Sequence, residues 1–175
     1  MRNVMSGQSS NDDIYLFIMR HGEAEMPRHD DKSRQLTSLG RHQSAVASQW
    51  LASHYCQDKK VGLALVSPYR RTRQTLDTVS LDIVADKVEI TGYFVPDGSA
   101  ELVADYLSAR LHSAANSTSP LKRILVVSHM PLVSYLVDEL CESYPPSLFA
   151  TASVAVIKYS LQTHRGELVT PSQGI

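Results

Sequence analysis

Short apolar runs alternate along this chain with stretches whose apolar residues recur every three or four positions. Ile14-Tyr15-Leu16-Phe17-Ile18-Met19 is the first run. A run this short, rich in Ile and aromatics, reads as a strand buried on both faces, as in a parallel sheet. Val61–Val66 is a second run, Val88-Glu89-Ile90 a weaker third, Leu121–Val127 a fourth. Thr151–Tyr159 is β-rich and reads as a last strand, with a short hairpin partner at Glu167–Val169. Between the runs lie helical patterns. One is capped by Thr37 and shows an apolar face at Val46, Ala47, Trp50 and Leu51 through about Tyr55. A second starts at Ser67-Pro68, serine as cap and proline at the first helical position, and turns Leu76 and Val79 inward. A third runs from the cap Ser99 to His112 with Val103, Leu107 and Leu111 as its stripe. A fourth begins near Pro131, buries Leu132, Leu136 and Leu140, and ends at Tyr144-Pro145-Pro146.

Strands alternating with helices predict an α/β fold, a three-layer α/β/α sandwich around a mostly parallel sheet. The polar residues 1–13 read as a disordered leader and residues 14–175 as a single domain. A formal net charge of −1 gives no electrostatic reason to expect nucleic acid. No window approaches the length of a membrane span, and the leader lacks the apolar core of a secretory signal. The expectation is a cytoplasmic monomer. Cys56 and Cys141 stand in no metal or redox spacing and read as free, inert thiols.

The candidate chemistry sits where strands end. In open α/β sheets, ligands bind past the carboxyl ends of the strands. Three such ends carry Arg20-His21, the Ser67-to-Arg73 turn and Ser128-His129. Right-handed crossovers put these ends on one edge. Two histidines and several arginines at one rim suit an anion, because guanidinium forks match phosphate oxygens. A histidine among them can act as a nucleophile when neutral. Neighbouring arginines lower its pKa from the ordinary value of about 6.5 and favour that form. Gly22 lets the backbone turn and approach a ligand closely.

Arg20-His21-Gly22-Glu23 resembles the R-H-G-[EQ] motif of the histidine phosphatase superfamily, whose fold is phosphoglycerate-mutase-like. Arg34-Gln35-Leu36-Thr37-Ser38-Leu39-Gly40 resembles its R-x-L-T-x-x-G segment, Ser67–Thr75 its S-P-x-x-R-x-x-Q-T segment, and Ser128-His129 its late histidine motif. The four come in the superfamily's order, and the resemblance covers about residues 14 to 160. The resemblance implies His21 as the nucleophile that becomes phosphohistidine. Arg20, Arg71 and His129 are implied as the clamp on the phosphoryl group, and Arg34 and Gly22 as further phosphate-binding positions. It implies no metal and no organic cofactor.

Within the superfamily the chain resembles the small phosphohistidine phosphatase branch, since only Tyr93–Gly98 fills the place of the long lid-building insertions. The mutase-like glutamate has no clear counterpart, and Met130 follows His129 where acid phosphatases carry an aspartate. An alkoxide leaving group needs a placed acid, commonly worth about 10²- to 10⁴-fold, whereas a ring-protonated phosphohistidine leaves as neutral imidazole. The implied substrates are phosphorylated HPt domains or phosphocarrier proteins. A phosphatase for small phosphate monoesters, using Asp97 or Glu101 as acid, is the first alternative. A module that binds a phosphohistidine protein without turnover is the second. Arg70 and Arg73 read as solvated or packed, Glu23 as a residue that orients a neighbouring arginine or histidine. His29, His42, His54, His112 and His164 read as surface or loop residues without ligand spacing.

Overall fold

A computed structural model describes residues 13–142 and 148–173. The strands are β1 (Ile14–Arg20), β2 (Lys60–Val66), β3 (Val84–Ile90), β4 (Arg123–Ser128), β5 (Val154–Ser160) and β6 (Arg165–Gln173). The helices are α1 (Ser38–His54), α2 (Arg70–Val79), α3 (Ala100–Ala115) and α4 (Leu132–Cys141). The expected leader, apart from Asp13, and the expected helix stop at Tyr144-Pro145-Pro146 lie outside the described residues. Within them, α4 ends at Cys141, with Glu142 in the left-handed region at φ 49°.

The six strands form one mixed sheet in the order β3-β2-β4-β1-β5-β6. Strands β1 to β4 are parallel, while β5 and β6 are antiparallel to their neighbours. The first strand alternates between two cores, as a strand covered on both faces must. Leu16 and Ile18 face the layer of α3 and α4, with Val103, Leu107, Leu111, Leu136 and Leu140. Phe17 and Met19 face the layer of α1 and α2, with Ala47, Leu51, Leu76 and Val79. The expected α/β/α sandwich is therefore the observed architecture. Among the described residues, no helix is long and apolar enough to cross a membrane.

Two departures have physical reasons. The third strand spans seven residues where the apolar pattern shows three, because an edge strand leaves a weak pattern. Only one of its sides has a partner, and its residues are mostly exposed, so VADKVEI carries little apolar signal. The buried face of α1 is Gly40, Ser44, Ala47, Ser48 and Leu51, with Val46 and Trp50 only half-buried. Small residues win here because α1 lies against the chain that leaves β1. A side chain on Gly40 would overlap the Glu23 backbone, and one on Gly22 would overlap the Gly40 carbonyl. This close approach fixes the loop after β1. Thr37 caps α1 by accepting from the Gly40 N–H at 3.0 Å, as expected, and also donates to Glu23 Oε1 at 2.8 Å.

The register brings the ends of three neighbouring strands together. Arg20 pairs with Ser128, and Val66 with Val127. The ladder continues one residue further, with His21 N–H donating to the Ser128 carbonyl at 3.0 Å and Ser67 N–H to the Val127 carbonyl at 3.2 Å. His21, Ser67 and His129 therefore emerge side by side at the carboxyl edge of β1, β2 and β4.

Candidate active site

His21 is 7% exposed and its ring is fixed by its own backbone. Nδ1 lies 2.7 Å from the Gly22 carbonyl. A carbonyl only accepts, so Nδ1 carries the proton and Nε2 keeps a lone pair. That nitrogen accepts a hydrogen bond from Arg71 Nε at 3.2 Å. Burial pushes the His21 pKa down to about 3. The field of Arg71, Arg20 and Arg34 pushes the same way, against the Gly22 bond, which raises it. The ring is neutral across the physiological range.

His129 closes the site from β4. Its ring stands edge-on to His21, centroids 5.1 Å apart, and edge-on to Tyr69 at 4.9 Å. Its Nε2 is 2.7 Å from Ser67 Oγ. Burial first, then the nearby His21, Arg71, Arg34 and Arg20, hold its pKa down at about 2. This contact corrects the expected helix start: Ser67 is not the cap. Helix α2 begins at Arg70 behind Tyr69, with no side-chain cap bond, and the serine hydroxyl pairs with His129 while accepting from the Tyr69 N–H at 3.4 Å. Thr75 then ties α2 to the loop, accepting from Gly22 N–H at 3.1 Å while donating to the Arg71 carbonyl.

Three guanidinium groups surround the histidines. Arg71 is 3% exposed. Beyond His21, it donates through Nη1 to the Asp31 carbonyl at 2.8 Å and through Nη2 to Asp31 Oδ2 at 3.1 Å. Arg34 donates to Asp31 Oδ1 through Nε at 2.7 Å and to the Glu25 carbonyl through Nη1 at 2.7 Å. Arg20 donates to the Phe149 carbonyl at 2.7 Å from the other side. Arg20 Nε and His129 Nδ1 are buried and have no partner among the described residues. Polar atoms left so are costly, and a cluster of cations that holds them suits an oxyanion.

The structure thus brings Arg20, His21, Gly22, Arg34, Arg71 and His129 into one cluster. Arg70 and Arg73 point from α2 into solvent. Glu23 orients neither an arginine nor a histidine, because its carboxylate accepts from Thr37 instead. Asp97 and Glu101 are both exposed, and the carboxylate that the arginines hold is Asp31. His112 departs from the surface expectation: it is half-buried on α3, its ring stacked on His164 at 4.4 Å. No group of three or more metal-ligating residues occurs among the described residues.

Asp31 is the residue of this cluster that sequence reasoning missed, while Ser67 and Thr75 lie inside a recognised motif that gave them no site role. Asp31 sits in a polar, aperiodic stretch. What places it is the pairing of the chain around that stretch: Glu25 N–H donates to the Gln35 carbonyl, Thr37 N–H to the Glu23 carbonyl, and Ala24 bridges Leu36. The excursion between these ends carries a 3₁₀ turn at Asp31–Ser33 over the arginines.

Comparisons with known proteins give the chain's family and fold relatives. The family model described as histidine phosphatase superfamily (branch 1) matches residues 16–91. The chain is 36% identical over 145 residues to phosphohistidine phosphatase SixA of Escherichia coli strain K12, covering 82% of this chain and 84% of that protein. It is 37% identical over 145 residues to the phosphohistidine phosphatase SixA homolog of Haemophilus influenzae, covering 80% and 85%. It superposes on the protein histidine phosphatase SixA complexed with tungstate with a TM-score of 0.81 at 32% identity, over 91% of this chain and 97% of that one. A resemblance first carried by four short motifs thus extends through the fold and over four-fifths of both chains, and the chain belongs to the histidine phosphatase superfamily as a phosphatase of phosphoglycerate-mutase-like fold.

Proposed function

We propose that this protein removes the phosphoryl group from phosphorylated histidine on HPt domains or phosphocarrier proteins, through a covalent phospho-His21 intermediate. The observation that carries the reading is the state of His21: a neutral ring, its Nδ1 proton fixed on a carbonyl and its Nε2 lone pair facing a cradle of arginines. Nε2 attacks phosphorus, and the bond from phosphorus to the substrate's ring nitrogen breaks. The electron pair stays on that nitrogen, and the substrate leaves as neutral imidazole if its other ring nitrogen carries a proton. Arg20, Arg71 and His129 hold the phosphoryl oxygens as charge moves onto them, with Arg34 at the outer side. Water then attacks phospho-His21, releasing inorganic phosphate and restoring Nε2.

The substrate choice rests on the leaving group. The carboxylate within the arginine cradle is held ionised, so it has no proton to give an alkoxide. The SixA relatives are named phosphohistidine phosphatases, which supports the same choice. The experiment is phosphate release from a phosphohistidine HPt domain, run beside an aryl phosphate ester at equal enzyme concentration. Fast release from the protein with poor ester turnover is expected. Fast ester turnover with an untouched phosphohistidine would move the function to small phosphate monoesters. Tight stoichiometric binding without release would make the protein a binding module.

A further inference from the structure

Arg71 runs outward from the nucleophile. Its Nε end touches His21, and its Nη end touches Asp31. His21 is 7% and Arg71 3% exposed, whereas the Asp31 side chain is 43% exposed. Asp31 therefore stands on the solvent side of the cradle. In-line attack from His21 puts the leaving group on that same side. The two oxygens of the Asp31 carboxylate are divided between the two arginines, Oδ1 to Arg34 and Oδ2 to Arg71. Each guanidinium also donates through Nη1 to a backbone carbonyl, Arg71 to Asp31 and Arg34 to Glu25, and Arg71 Nε donates to His21. The carboxylate is thus the exchangeable anion of the cradle, and a phosphoryl group that engages Arg34 and Arg71 competes with it directly.

We infer that Asp31 is a specificity-determining residue: its carboxylate fills the arginine fork, yields it to the phosphoryl group, and then pairs with a leaving group that carries a ring N–H. This deepens the phosphohistidine reading and rests on it. The reasoning is an exchange of ion pairs. When the phosphoryl oxygens take the arginines, the displaced carboxylate faces the leaving group. A phosphorylated imidazole offers it a polarised N–H, charged when the ring is protonated. An ester offers it no donor, so the like-charge contact between the carboxylate and the phosphoryl dianion, common to both substrates, goes uncompensated. Burial raises the Asp31 carboxyl, but hydrogen bonds from Arg34 and Arg71 outweigh that and hold it below the usual carboxylate range, so it acts as an acceptor at neutral pH. Its position at the tip of the excursion between Glu25 and Gln35 lets it move without disturbing the sheet.

The test uses the full chain as wild type, Asp31→Asn, Asp31→Ser and Asp31→Glu, with two readouts. Titration with inorganic phosphate measures competition for the arginines. The ratio of kcat/KM for a phosphohistidine HPt domain to that for an aryl phosphate ester measures leaving-group choice. Asp31→Asn and Asp31→Ser are expected to bind phosphate about tenfold more tightly. Their ratio is expected to fall about tenfold through gained ester turnover, and Asp31→Glu to return both towards wild type. Weaker phosphate binding in both neutral variants would overturn the inference and leave Asp31 as a residue that only aligns the arginines. An unchanged ratio would overturn the leaving-group role. Wild-type enzyme that leaves the phosphohistidine untouched would overturn the substrate reading and that role with it, while the phosphate titration would still report on the competition.

Discussion

Removing Arg71 is expected to cost far more in catalysis than in stability. Its guanidinium makes three hydrogen bonds, to His21 Nε2, the Asp31 carbonyl and the Asp31 carboxylate, and is 3% exposed. Loss of one preorganised donor to a developing oxyanion typically costs about 10²- to 10³-fold in kcat. Arg71→Met removes the whole fork and the charge, so a loss of at least about 10³-fold is expected. Arg71→Lys keeps the charge as a point without the fork and is expected to lose about 10²-fold. The stability cost is much smaller. The abandoned Asp31 carboxylate lies at the exposed mouth, where water replaces the arginine, and the buried His21 Nε2 loses one donor, so about 1–2 kcal/mol is lost. For a chain of this size that lowers Tm by roughly 2–4 °C per kcal/mol. A second readout separates the variants. Arg71 is the largest of the arginine contributions that depress His21, so the His21 pKa should rise from about 3 in Arg71→Met and stay low in Arg71→Lys. Ring nitrogen NMR over a pH series reads this, beside turnover of a phosphohistidine protein and thermal melting. Arg71→Met that keeps kcat within tenfold of wild type, or that melts far below it, would refute the reasoning.

Other outcomes follow from the same geometry. His21→Asn should abolish turnover while melting close to wild type, because the ring sits beyond the end of β1; retained activity would exclude the covalent route. Ser67→Ala removes the 2.7 Å contact that holds His129 Nε2 and should lower kcat about tenfold, with a stability loss of about 1–3 kcal/mol if the buried nitrogen finds no other partner; unchanged kinetics would contradict a role in holding His129. Gly40→Ala drives a Cβ into the Glu23 backbone, so a loss of about 1–3 kcal/mol and a reduced kcat are expected from melting and turnover together. His21 and His129 stay neutral when folded, with pKa values near 3 and 2, but protonate near 6.5 when unfolded. The unfolded chain therefore binds more protons between about pH 6.5 and 3, and stability falls as pH drops through that window, by about 1.4 kcal/mol per pH unit for each histidine. Urea unfolding at pH 7.5 and 5 checks this, and His129→Asn should flatten the slope.

Elements with strong periodicity were legible because packing followed their pattern. The first strand divides Leu16 and Ile18 from Phe17 and Met19 between two cores, and the stripes of α3 and α4 are buried as their spacing indicates. The rim cluster was legible because strand order alone brings the ends of β1, β2 and β4 together. What was hidden depended on contacts between segments distant in sequence. Ser67-Pro68 has the composition of a helix cap, but a buried imidazole took the hydroxyl. The first turn of α1 carries Gly40 on its inner face because close approach to the Glu23 backbone leaves no room for a side chain there. Asp31 has no periodicity to mark it, and its place over the arginines is set by pairing of the chain on either side of its loop.

The central claim is that the phosphoryl group passes through His21. The most direct measurement is rapid acid-free quenching of the enzyme with a radiolabelled phosphohistidine HPt domain, followed by peptide mapping of the labelled enzyme under alkaline conditions. The account predicts an acid-labile, alkali-stable label on the peptide containing His21, formed before phosphate appears and absent in His21→Asn. Full-rate phosphate release with no label on that peptide, or release sustained by His21→Asn, would contradict it.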